Sequence, residues 1–159
     1  MKDELLPALI YLHGGGWMLH NPDSYDNTVY PIANCSRKIT ISVDYRLSPD
    51  HPFPAPVHDC LDVTRYVLKH GKSLGIDVNR VGIAGDDTGG NIAAAAALRL
   101  SNEKSSGLPG LKFQVLMWPP LQAMDFQTPS YVDIGERISV LGRRKMVGYW
   151  ALYLGLGEW

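Results

Sequence analysis

The feature that most restricts how this chain can fold is Val81–Ile92, VGIAGDDTGGNI. A β-branched apolar run ends in Gly85, and a train of small, helix-compatible residues starts a few positions later. That order calls for a strand turning abruptly into a helix, with Gly85, Gly89 and Gly90 allowing the two elements to approach closely. Asp87 stands at the tip of the turn, where a helix N-terminus presents free N–H groups. A dinucleotide-binding turn also joins strand to helix through glycines. Here Asp86 and Asp87 would oppose a pyrophosphate, and the G-x-G-x-x-G spacing is missing, so that class is set aside.

The rest of the chain repeats the alternation. Ala8–His13, Ile39–Tyr45, Arg80–Gly85 and Phe113–Trp118 read as strands, with helices over Tyr25–Arg37, Val57–Leu74 and Asn91–Leu100 between them. Such spacing predicts a mainly parallel sheet with helices on both faces, a three-layer α/β sandwich. From Pro119 the rhythm stops, and Arg143–Leu154 reads as one further amphipathic helix carrying Met146, Val147, Tyr149, Trp150 and Leu152. At 159 residues and 45% hydrophobic content, this is one domain with a substantial core.

A net charge of −1 excludes nucleic acid and anionic membrane surfaces as partners recognised by charge. The longest apolar run, Ile92–Leu98, is far short of the ~20 residues of a membrane-spanning helix. With no leader visible either, the chain as written reads as soluble and cytoplasmic. Cys35 and Cys60 lack metal-ligand or redox spacing and are expected to fill helix–sheet contacts as small apolar residues. No metal or cofactor is implied.

Chemistry concentrates at two glycine clusters, each following a strand. His13-Gly14-Gly15-Gly16-Trp17 has the form of the oxyanion loop of lipases and esterases, which turns sharply and aims N–H groups at a developing negative charge. Gly85-Asp86-Asp87-Thr88-Gly89 has the form of their nucleophile elbow, G-x-S-x-G, with aspartate where the serine would be. Arg46 is expected to pair with Asp59 or Asp86, and His51 and His58 to be surface or loop-pinning groups. Trp17 and Met18 follow the oxyanion loop and could face either a substrate pocket or the core. Trp118, Tyr149 and Trp150 are further pocket candidates.

Four segments, YLHGGGW (11–17), VDYRLSPDHPFPAP (43–56), DVNRVGIAGDDTGGNIAAA (77–95) and LQAMDFQTPSY (121–131), resemble the hormone-sensitive lipase branch of the α/β-hydrolases. Within that branch the chain is most similar to animal arylacetamide deacetylases and neutral cholesterol ester hydrolases. The resemblance implies a truncated α/β-hydrolase sheet with spatial strand order second, first, third, fourth. It implies that residues 1–120 are the central part of the core and 121–159 the start of a cap-like helical segment. It also implies hydrolysis of lipid or aryl-acyl esters without cofactor or metal, with Gly15, Gly16 and the N–H of Thr88 as oxyanion hole, Gly14 as its turn and Asp87 at the nucleophile position. His13, Gly85, Asp86, Gly89 and Gly90 are supporting motif positions. Relatives are anchored in the endoplasmic reticulum membrane.

Two departures from the branch's G-D-S-A-G-G pattern stand out, Asp87 for serine and Thr88 for alanine. The branch's acid and histidine follow its nucleophile, whereas none of the five histidines here follows Asp87. The chain is therefore expected to be catalytically impaired. Attack of Asp87 on an ester would give an anhydride that collapses backwards, because a carboxylate (pKa ~4) leaves more easily than an alkoxide. Two alternatives remain open: a non-catalytic binding or scaffold protein, and an aspartate-nucleophile hydrolase acting on alkyl halides or epoxides. Its ligand would be a small ester or lipid. Unpaired edges at Phe113–Trp118 and Ile39–Tyr45 are expected to favour self-association.

Overall fold

The computed structural model describes residues 4–103, 107–123, 125–133 and 141–157. Part of the Ser101–Gly110 loop and part of the segment 121–159 lie outside the described residues. Four parallel strands, β1 (Leu6–Leu12), β2 (Ile39–Ser42), β3 (Ile76–Asp86) and β4 (Gln114–Met117), form one sheet in the order β2-β1-β3-β4. This is the expected order. Five helices are described: α1 (Asp26–Ser36), α2 (Ala55–His70), α3 (Asp87–Asn102), α4 (Pro129–Asp133) and α5 (Arg143–Leu154).

Strand periodicity sorts the side chains of β1 to opposite faces. Ala8, Ile10 and Leu12 enter the main core with Val81 and Ile83 of β3, Leu61 and Val67 of α2, and Ile92 and Ala96 of α3. Leu9 and Tyr11 point the other way, into a smaller cluster with Val29 of α1 and Ala84. The sheet is thus covered on both faces. Met146, Trp150 and Tyr153 of α5 join the main core.

Boundaries moved where local geometry intervenes. β3 begins at Ile76 because its register with β1 shifts between Leu6 and Ala8, allowing pairing to start before Arg80. The helix expected over Val57–Leu74 stops at His70 and tightens into a 3₁₀ turn over Gly71–Leu74. One cysteine expectation fails. Cys60 is buried, but Cys35 is exposed, and both thiols are free. Cys35 lies six residues beyond Val29, the residue α1 buries, and so about 240° further round the helix. Burial pushes the Cys60 thiol up to about 12.

Candidate active site

The C-terminal ends of β1 and β3, adjacent in the sheet, bring the two glycine clusters together. β3 runs into α3 without a linker, and Asp87, the first residue of α3, takes a left-handed φ of 47°. Its carboxylate reaches back across the sheet: Oδ2 accepts from the N–H groups of Gly15 at 3.2 Å and Gly16 at 3.3 Å. Among the described residues, no hydrogen bond reaches Oδ1. Two of the three expected donors, Gly15 and Gly16, therefore converge on one oxygen of Asp87.

Each glycine of the loop has its own reason. Gly15 has a φ of 115°, which side chains rarely adopt. Gly14 is confined by its neighbours instead, since an added Cβ would lie 2.8 Å from Asp86 Oδ2 and 2.9 Å from Asp87 Cβ. On Gly16 the ring of Tyr149 occupies the space a Cβ would need, at 2.8 Å. Thr88 is buried, and its hydroxyl accepts from the Trp17 N–H at 3.1 Å.

Asp86 anchors a second layer. Its two oxygens accept from Tyr11 Oη and Tyr25 Oη, each at 2.9 Å, and Tyr25 Oη also accepts from the Gly14 N–H at 3.2 Å. Burial and the Asp86 carboxylate together raise both phenols, Tyr25 up to about 12 and Tyr11 further, so both remain donors at neutral pH. His13 is fully buried, stacked on Tyr45 with ring centroids 4.4 Å apart, and its Nδ1 donates to the Gly14 carbonyl at 2.8 Å. Burial lowers its pKa despite that carbonyl, and His20 acts in the same sense, while Asp44 and Asp86 pull it upward.

The other candidates separate. Trp17 belongs to the core, fully buried and stacked on Tyr153 at 4.2 Å; Met18 is half-buried. Trp150 is also buried, while Trp118 is 74% exposed. Arg46 pairs with Asp59, donating Nε at 2.9 Å and Nη2 at 2.8 Å to its two oxygens, and leaves Asp86 to the tyrosines. His51 and His58 are exposed. The sequence reading did not include Tyr11, Tyr25 or Tyr45 in the site. Tyr11 sits two residues before His13, but nothing local announces its bond to a carboxylate 75 positions away.

Concave surfaces occur away from Asp87 too. A groove of about 390 Å³ opens between α2, α3 and the chain entering β4, lined by Leu68, Leu100, Leu108 and Phe113. It lies at the N-terminal end of β4, opposite the elbow. Among the described residues, no group of three or more His, Cys, Asp or Glu is placed to hold a metal, and no helix is long and apolar enough to cross a membrane.

A strand-to-helix elbow facing a glycine loop across adjacent parallel strands is matched by the family model for the alpha/beta hydrolase fold over residues 9–158. This chain belongs to that family. As an α/β-hydrolase it is 37% identical to neutral cholesterol ester hydrolase 1 of Bos taurus over 156 residues, covering 96% of this chain and 38% of that protein. Arylacetamide deacetylase of Bos taurus is 38% identical over 154 residues, covering 94% of this chain and 38% of that protein. Among solved structures, the thermophilic carboxylesterase EstE1 from a metagenomic library superposes with a TM-score of 0.88 at 32% identity, covering 97% of this chain and 52% of that one. The chain thus spans about two fifths of the length of these two curated relatives.

Proposed function

We propose that this chain is a carboxylesterase-type hydrolase fold whose oxyanion hole is filled by its own Asp87, leaving it unable to turn over carboxylic esters. The observation that carries this reading is the pair of N–H bonds from Gly15 and Gly16 to Asp87 Oδ2. Hydrogen bonds to a charged acceptor contribute ~1.5–3 kcal/mol each, so an uncharged ester carbonyl competes poorly for the same donors. Losing one hole donor already costs ~10²–10³ in kcat, and loss of the serine nucleophile costs ~10⁶. On this reading the chain binds small esters or lipids without consuming them. Hydrolysis of p-nitrophenyl butyrate should not exceed that of buffer; multiple turnovers by the purified chain would overturn the reading.

The freedom of Asp87 Oδ1 favours a second reading, attack on an sp³ carbon bearing a halide or epoxide oxygen. Against it, the hole stabilises the carboxylate charge that attack would neutralise, which favours the ground state over the transition state. Mass spectrometry after exposure to an alkyl bromide, with Cys35 blocked, decides between them. An adduct confined to the Asp87 peptide would support the second reading, and an unmodified Asp87 the first.

The same reading includes self-association. Among the described residues, β4 pairs on one side only, and Phe113, Val115 and Trp118 are 40%, 46% and 74% exposed. An uncharged, apolar strand edge of this kind is suited to a second copy of the chain, because a net charge of −1 offers little repulsion. Sedimentation should show dimers or larger species at tens of micromolar; a clean 17.6 kDa monomer would refute it.

A further inference from the structure

Every N–H and C=O of the three peptide groups from His13 to Gly16 has a partner. The second and third are held by Asp87 and by the loop itself. Their N–H groups donate to Asp87 Oδ2, the Gly14 carbonyl accepts from His13 Nδ1, and the Gly15 carbonyl accepts from the N–H groups of Met18 and Leu19. The first peptide is held from outside. Its N–H, on Gly14, donates to Tyr25 Oη at 3.2 Å, and its carbonyl, on His13, accepts from Tyr45 Oη at 2.6 Å. The peptide is trans, so the two hydroxyls grip it from opposite sides. Tyr25 ends the 3₁₀ turn Asp23–Tyr25, which is closed by reciprocal bonds between Asn21 and Ser24 at 2.9 and 3.1 Å. Its own proton goes to Asp86 Oδ2 at 2.9 Å. Tyr45 arrives alongside β1: the Val43 N–H donates to the Tyr11 carbonyl at 2.9 Å, and two residues further along each chain the Tyr45 ring stacks on His13.

We propose that Tyr25 and Tyr45 are positioning residues that fix the plane of the His13–Gly14 peptide, and so the direction in which the Gly15 and Gly16 N–H groups point. Successive glycines have broad backbone freedom, so the loop cannot set that direction by itself. The bonds from Gly15 and Gly16 to Asp87 are long, at 3.2 and 3.3 Å, and share one acceptor oxygen, which restrains distance more than orientation. Rotating the first peptide would break both tyrosine bonds and strand the Gly14 N–H and the His13 carbonyl, which are buried, without partners. Tyr25 adds a link across the site. By donating to Asp86, the residue before Asp87, it ties the strand-to-helix turn to the loop that faces it through a single hydroxyl. This role rests on the loop geometry and not on the catalytic reading; ester turnover by this chain would overturn that reading and leave the tyrosines' role untouched.

Residual dipolar couplings of the backbone N–H groups, measured by NMR on the whole chain, report bond direction and so test the proposal. Tyr25→Phe and Tyr45→Phe each keep the ring and remove one hydroxyl. In each variant the couplings of Gly14, Gly15 and Gly16 should depart from native values, while those of Ile10 and Ile83 in the middle of β1 and β3 hold. Amide exchange at Gly14 should also accelerate about tenfold in Tyr25→Phe, the equivalent of one hydrogen bond. Tyr11→Phe separates aim from stability. It removes the other hydroxyl bonded to Asp86, one with no bond to the loop, and should lower the melting temperature while leaving the Gly15 and Gly16 couplings native. Native couplings at Gly15 and Gly16 in either of the first two variants would overturn the proposal, as would the same departure in Tyr11→Phe. Should Tyr45→Phe fail to fold, Tyr25→Phe, at a half-buried ring, decides the matter by itself.

Discussion

β1 and β4 both lie beside β3 in the same parallel sheet, and they could hardly be treated more differently. β1 is paired on both sides, and every residue from Ala8 to Leu12 is at most 6% exposed. β4 is paired to β3 alone among the described residues, and Val115 in its middle is 46% exposed. The His13–Trp17 glycine loop grows from the end of β1, and the strand-to-helix turn that faces it from the end of β3. The geometry around Asp87 therefore rests on the best-buried pair of strands, and the weakly covered edge lies one strand away. A perturbation should be costly in proportion to its nearness to the β1–β3 seam.

The severest expected break is Gly89→Ala. Its Cβ would fall 2.2 Å from the Leu12 carbonyl oxygen and 2.3 Å from that of His13, both backbone atoms at the end of β1. Relieving this overlap means parting α3 from β1, at a cost of about 3 kcal/mol or more in urea denaturation. Next comes truncation within the two strands. Ile10→Ala, at a fully buried site, should cost about 2–5 kcal/mol, whereas Val115→Ala on the exposed edge should cost well under half as much. Equal losses at the two positions would show that β4 is covered in solution by something that shields it as well as α3 shields β1.

The contrast has a pH signature as well. His13 at the end of β1 is held neutral by burial, with a folded pKa below its ordinary ~6.5. An unfolded chain takes up a proton here that the folded chain refuses. The stability contributed is therefore complete above about pH 6.5 and is lost as the pH falls from there toward the folded pKa. Each pH unit crossed within that window should remove up to about 1.4 kcal/mol, read as a falling melting temperature that His13→Asn flattens. The smallest effect lies furthest from the seam. Gly148→Ala in α5 meets no atom within 4 Å, and should stabilise by about 0.4–1 kcal/mol by restricting the unfolded chain.

How much of this was legible in the residues depended on the range of the forces involved. The alternation of strands and helices and the α5 boundaries follow from periodicities that act within a few residues, whereas the spatial order of the strands came from the resemblance to the α/β-hydrolases. The pairing of Arg46 was narrowed to Asp59 or Asp86, and only the packing of α2 against the loop that precedes it decides it. Tyr11, Tyr25 and Tyr45 were not foreseen as site residues, because their partners Asp86 and His13 lie 75, 61 and 32 positions away. Hydrogen bonds over such separations leave no local pattern. Cys35 failed for a simpler reason: α1 fully buries only Val29, and Cys35 lies with Tyr30 and Pro31 among its exposed positions. Trp17 stood undecided between pocket and core until α5 supplied Tyr153 and Trp150 as its neighbours.

The left-handed backbone at Asp87 has an evolutionary consequence. Aspartate is among the few residue types, with asparagine and histidine, that are enriched several-fold in this conformation. A serine held at the same φ stores strain, the sort of tension that reactive positions retain for the sake of their chemistry. Replacing it by aspartate relieves part of that tension and satisfies two backbone donors in one step. Selection for endurance alone would favour this residue at such a backbone, whereas selection for serine-based turnover would favour serine in spite of the strain.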